Sequence, residues 1–216
     1  EEDLNEKITD DERDQLRLLR SRVQRMDSLI EGILQYSRAG RLATGIQTVD
    51  TRQMVREILD ILALPHGMVV TISDRLPVLE TRKLRLEQTI QNLISNAVKY
   101  HHDPANGHIE IGCEKESPDL WRFWIQDDGP GIAEEHHERV FMMFQTLQPR
   151  DRVESTGLGL SLVTKLVEEE GGRVRLVSAE GEGARFEFTW PASPGSLEGE
   201  ETSELNGDGL GDRSGR

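Results

Sequence analysis

The first periodic segment of the chain covers residues 10–38. Apolar residues recur there at Leu16, Leu19, Val23, Met26, Ile30 and Ile33, in alternating steps of three and four. That spacing predicts one long helix whose apolar stripe is the seam of a coiled coil or helical bundle. A lone helix of this length is marginal in water, so the stripe needs a partner. Gly40 and Gly45 mark its end and a short linker.

From residue 46 the pattern changes. Strands are predicted over 46–49, 68–72, 77–79, 108–113, 121–125, 173–177 and 184–190, the clearest being those where apolar and polar residues alternate. Helices are predicted over 51–63, 83–100, 133–140 and 158–170, the last ended by Gly171 and Gly172. Helices and strands mixed without a regular βαβ alternation suggest an α+β fold, a two-layer sandwich with helices on one face of a sheet. After Pro191 the residues turn to Gly, Ser, Glu and Asp. Such a segment buries almost nothing, so 192–216 reads as a disordered acidic tail.

Composition narrows the function classes. The 216 residues are 35% hydrophobic and 31% charged, with a formal net charge of −14. No run of about 18 apolar residues is present, so no membrane-spanning helix is expected. The acidity argues against a nucleic-acid partner, which calls for a basic face. Cys113 is the single cysteine, which suits a reducing, cytoplasmic setting.

Three stretches could carry chemistry. On the helix over 83–100, Leu86, Ile90, Leu93, Ile94 and Ala97 share one side. Asn92, Asn96 and Lys99 lie roughly 130° away. Two amides and a cation in a row suit a hydrated magnesium ion and phosphate oxygens; a solvated polar face explains them as well. Next, Asp127-Asp128-Gly129-Pro130-Gly131-Ile132 follows a strand. A carboxylate there could accept a hydrogen bond from an exocyclic amine, though these are also ordinary turn residues. Finally, Ser155-Thr156-Gly157-Leu158-Gly159-Leu160 opens the last long helix. Free amides at a helix N-terminus suit a triphosphate; a plain helix cap with glycines fits too. Before it comes Phe141-Met142-Met143-Phe144 and a polar stretch over 145–156. Its length suggests a lid. Arg150 and Arg152 could reach phosphate from it, or could be incidental surface charges.

The order of these motifs resembles the N, G1, F and G2 boxes of sensor histidine kinases of two-component systems, phytochrome-like ones most of all. The resemblance covers about 46–191. It implies the Bergerat ATP-binding fold shared with DNA gyrase B and MutL, a mixed sheet backed by helices with ATP under a mobile lid. By motif position, Asn96 would hold magnesium with Asn92 beside it. Lys99 would contact phosphate and Tyr100 would border the base. Asp127 would receive the adenine amine, and Gly129, Gly131 and Ile132 would shape its pocket. Thr156, Gly157, Leu158, Gly159 and Leu160 would wrap the phosphates. Asp128 departs from the family's usual Asn, and Ser155 from a common Gly.

The resemblance also implies that residues 1–45 hold the second helix of a dimerisation and phosphoacceptor hairpin, packed in a homodimer. The first helix, which carries the phosphorylated histidine, is not in this sequence; none of the six histidines fits that role. The implied function is transfer of the γ-phosphate of Mg-ATP to that histidine, for relay to a response-regulator aspartate. The alternatives are a nucleotide-binding module or an ATPase of the gyrase and MutL kind. Those ATPases need a glutamate at the place of Asn92 to activate water.

Overall fold

The computed structural model describes residues 9–39, 45–147 and 156–194. Helix α1, Asp10–Ala39, opens the described chain. A reciprocal cap starts it: the Thr9 amide donates to Glu12 Oε2 at 2.8 Å, and the Glu12 amide to Thr9 Oγ1 at 3.4 Å. The predicted stripe is laid open along its length, with Leu19 58% and Met26 63% exposed.

Strand β1, Gln47–Asp50, leads straight into helix α2, Thr51–Leu62. Asp50 makes the turn, its Oδ1 accepting from the amides of Arg52 and Gln53 at 3.0 Å each. Strands β2, Val69–Ile72, and β3, Val78–Thr81, follow. Helix α3 is Lys83–Lys99, and strands β4, His108–Ser117, and β5, Leu120–Asp127, form a hairpin. Helix α4, Gly159–Glu169, and strands β6, Val174–Ser178, and β7, Ala184–Pro191, complete the fold.

β2, β4, β5, β7 and β6 form one five-stranded sheet in that order. β2 runs parallel to β4, while β5, β7 and β6 are joined by antiparallel pairings. The helices lie on one face, as the α+β reading requires. The core between the layers takes Leu86, Ile90, Leu93 and Ile94 from α3, Val163 and Val167 from α4, and Ile111, Phe123, Ile125 and Phe188 from the sheet. These are the apolar faces that the two periodicities mark. Separately, β1 and β3 make a two-stranded antiparallel ribbon. It is fastened to the main sheet by Trp190, fully buried, whose Nε1 donates to Thr81 Oγ1 at 2.9 Å.

An ion cluster pins the far ends of α3 and α4 together. Glu170, its carboxylate almost wholly buried, accepts from Arg85 at 2.7 Å and from Arg82 at 2.9 Å.

Two expectations need correction. Residues 133–140 form no α-helix but two single 3₁₀ turns, Glu134–His136 and Arg139–Phe141. The segment is too short to support itself and has almost nothing apolar to bury on a helical face. The β4–β5 hairpin also runs further than apolar alternation suggests. Its polar end is held by register and by Arg122, which reaches Glu116 at 3.0 Å and Glu114 at 3.4 Å. Arg150, Arg152, Ser155 and the tail from residue 195 lie outside the described residues.

Candidate functional site

Beside the core, α3, the end of β5 and the start of α4 surround a cavity of about 390 Å³. Its walls include Asn92, Asn96, Lys99, Tyr100, Asp127, Gly131, Ile132, Thr156, Gly157, Leu158, Gly159 and Leu160. Residues from three distant stretches of sequence thus face one space. Gly129 is the exception among the described candidates. It stands behind the wall, and its amide donates to Asp127 Oδ1 at 2.9 Å.

Each wall follows from local folding. The amides of α3 project from the helix side that the core does not use. The Asn92 side chain donates from Nδ2 to the Gln88 carbonyl at 2.7 Å. That bond leaves its oxygen toward Gly159, where an added Cβ would come within 3.0 Å. Helix α4 starts without any side-chain cap on its first turn. Its opening amides and the positive end of its dipole are therefore available to an anion.

Asp127 ends β5 and is buried. Burial pushes its carboxyl pKa up, and the Gly129 and Ala184 amides pull partly the other way. The turn that follows doubles back tightly. Gly131 has φ +69°, and a Cβ there would overlap the Ala179 carbonyl.

At the opposite rim, the ends of the segment over 145–156 are tied together. The Phe144 amide donates to the Gly157 carbonyl at 2.8 Å. Gly157 takes φ +67°, and a Cβ on it would press within 2.7 Å of the Phe144 backbone.

The sequence profile of the family described as "Histidine kinase-, DNA gyrase B-, and HSP90-like ATPase" matches residues 81–194. That span holds α3, the turn after Asp127 and the start of α4. The chain belongs to this ATPase family. Over 192 residues it is 36% identical to cyanobacterial phytochrome B of Nostoc sp. (strain PCC 7120 / SAG 25.82 / UTEX 2576), covering 87% of this chain and 25% of that protein. It is 30% identical over 179 residues to the adaptive-response sensory kinase SasA of Synechococcus sp. (strain JA-3-3Ab), covering 80% and 47%. Among solved structures, full-length ShkA in complex with AMPPNP matches with a TM-score of 0.66 at 27% identity. That match covers 87% of this chain and 40% of ShkA. The nucleotide-free catalytic domain of the histidine kinase ThkA matches with a TM-score of 0.56 at 25% identity, covering 70% of this chain and 98% of that domain. The chain spans about a quarter of the length of the phytochromes it matches.

The ATPase-family cavity has contributors that motif reading passes over. Gly32 of α1 lines it, and a Cβ on Gly32 would come within 2.8 Å of Leu158 Cδ1. The signal was an isolated glycine inside a helical pattern. Ser95, Thr146 and Phe186 also face the space. Next to the cavity lies a pair that no motif announces: His101 Nε2 meets Asp128 Oδ1 at 2.8 Å, across 27 residues of sequence. Burial works upward on the Asp128 carboxyl, but the His108 amide and the His101 ring outweigh it and hold the pKa below the usual aspartate range.

Among the described residues, no group of three or more His, Cys, Asp or Glu could hold a metal ion. The donors facing the cavity from α3 are amide oxygens, which suit a hard cation only when other oxygens complete its shell.

Proposed function

We propose that the chain is the ATP-binding catalytic region of a protein-histidine kinase. The observation that carries the proposal is the meeting of Asn92, Asn96 and Lys99, Asp127 and the uncapped start of α4 around one cavity. The base would lie against Asp127, its amine donating to the carboxylate, with Tyr100 and Ile132 alongside. The phosphates would lie toward Lys99 and the α4 amides. Asn96, with Asn92, would hold magnesium jointly with phosphate oxygens, neutralising charge on the transferred group. Arg150 and Arg152 would reach the phosphates from the lid.

Residues 46–191 would form this nucleotide unit and 1–45 the second helix of a homodimeric hairpin. The γ-phosphate would pass to a histidine outside these 216 residues and then to a response regulator. The setting would be cytoplasmic; among the described residues no helix is long and apolar enough to cross a membrane. Catalysis by this region would be positioning and charge stabilisation, because Asn92 cannot take a proton from water.

The test mixes the chain with Mg-ATP and a separately made acceptor helix bearing the histidine. Acid-labile phosphate on the helix is expected, with slow release of free phosphate. ATP binding without transfer would leave only a nucleotide-binding module, and rapid free phosphate would favour an ATPase.

A further inference from the structure

We infer that His101 is a positioning residue for the base of the nucleotide, acting through Asp128 on the turn that begins at Asp127. The inference rests on the nucleotide reading above and extends it to a residue that does not touch the cavity.

His101 is the second residue after α3, next to the helix-ending Tyr100. Its side chain is only 3% exposed. The ring meets three segments at once. On its own segment, Nδ1 accepts from the Asp103 amide at 3.1 Å. On the turn after β5, Nε2 lies 2.8 Å from Asp128 Oδ1. At the entry to β4, a Cβ added to Gly107 would come within 2.9 Å of the ring. His102 stacks on the ring, with centroids 5.1 Å apart.

The hydrogen bonds fix the tautomer. A ring nitrogen that accepts from an amide carries no proton, so the proton of the neutral ring sits on Nε2 and donates to Asp128. Asp128 Oδ1 also accepts from the His108 amide at 2.7 Å. One carboxylate oxygen thereby joins the end of α3, the start of β4 and the turn. Asp127 is its immediate neighbour and Gly129 the next residue. A Cβ on Gly129 would lie 3.5 Å from His101 Cδ2 and 2.6 Å from Asp127 Oδ1. Asp127 accepts from the Gly129 and Ala184 amides. Moving Asp128 displaces Gly129, and with it the group that orients the Asp127 carboxylate. His101 therefore sets the distance between the two walls of the base pocket, Tyr100 just past α3 and Asp127 at the end of β5.

This placement predicts a selective defect. The whole chain is titrated with Mg-ATP and with Mg-tripolyphosphate, which lacks a base. His101→Ala should weaken ATP binding about tenfold and leave tripolyphosphate unchanged. His101→Gln keeps an N–H donor for Asp128 and should recover most of the loss. In an Asp127→Asn background, His101→Ala should add less than about twofold, because the group it positions is already impaired. In the unaltered chain, the ring nitrogens should show the Nε2–H tautomer by nitrogen-15 NMR.

Equal losses for ATP and tripolyphosphate would overturn the inference, as would full additivity with Asp127→Asn. So would unaltered ATP affinity in His101→Ala, or an Nδ1–H ring. Where His101→Ala does not fold, the His101→Gln titration and the ring tautomer decide. Failure of the unaltered chain to bind ATP would remove the function reading first, and this inference with it.

Discussion

At the scale of single residues, Asp127 carries a pH-dependent share of the fold's stability. Folding raises its pKa through burial, so the folded chain holds that proton more tightly than the unfolded chain does. Its contribution to stability is present below the ordinary aspartate range and is lost as pH rises through the raised folded value. At neutral pH the ionised carboxylate is thus a cost. Asp127→Asn is expected to raise the thermal midpoint at pH 7, and the gain should vanish on acidification below the unfolded value. The same variant should bind ATP roughly 10- to 100-fold more weakly, the range for a hydrogen bond to a charged group. Calorimetric titration and melting on one preparation check both halves. Asp127 was legible in the sequence because its neighbours form a contiguous motif. His101 was not. A histidine after a helix looks like a surface residue until a partner 27 positions away is brought beside it.

At the scale of elements, the relation between α3 and α4 governs the cavity, since one carries the amides and the other the opening amino end. Their far ends meet in the cluster of Arg82, Arg85 and Glu170. Removing the carboxylate leaves Arg85, itself buried, with the more exposed Glu169, 3.3 Å away, as its remaining partner. Glu170→Ala is expected to cost about 2–3 kcal/mol, below the full penalty of about 3–5 kcal/mol for stranding one member of a buried ion pair, because Glu169 stays in reach of Arg85. Urea unfolding monitored by tryptophan fluorescence measures it. A loss below about 1 kcal/mol would show that Glu169 takes over the pairing or that solvent reaches Arg85.

Helices with a full apolar face, such as α3 and α4, could be read from periodicity to within a residue or two. The 3₁₀ turns at Glu134–His136 and Arg139–Phe141 could not, since nothing in the alphabet of 133–140 separates a short helix from successive turns. The ribbon of β1 and β3 was likewise hidden. Its attachment depends on Trp190 reaching Thr81 across 109 positions, a distance over which local pattern carries no information.

At the scale of the whole molecule, α1 does more than precede the ATPase-family fold. Its end lies against α4: Lys165 Nζ donates to the Tyr36 carbonyl at 3.0 Å and sits 4.3 Å above the Tyr36 ring. Tyr36 in turn packs on Leu162 and Leu166. One turn earlier, Gly32 gives Leu158 room at the cavity rim. Gly32→Leu should force α1 away from the start of α4 while making α1 itself a better helix by about 1 kcal/mol. Amide hydrogen exchange should then quicken over Leu158–Leu162, with the rest of the sheet unchanged. Unaltered exchange there would mean that α1 and α4 part without consequence. The amphipathic stripe of α1 was plain from the sequence; which neighbour its glycine serves was not, because contact between elements has no periodicity.

The bond between Phe144 and Gly157 has a further meaning for how this protein can vary. It brings Phe144 and Gly157, 13 positions apart in sequence, together at 2.8 Å. Closing a loop of twice the length costs only about 0.6 kcal/mol more. Insertions between these two anchored positions are therefore expected to cost the fold little stability. The fold thus fixes where this segment starts and ends, and leaves its length to be set by what it does.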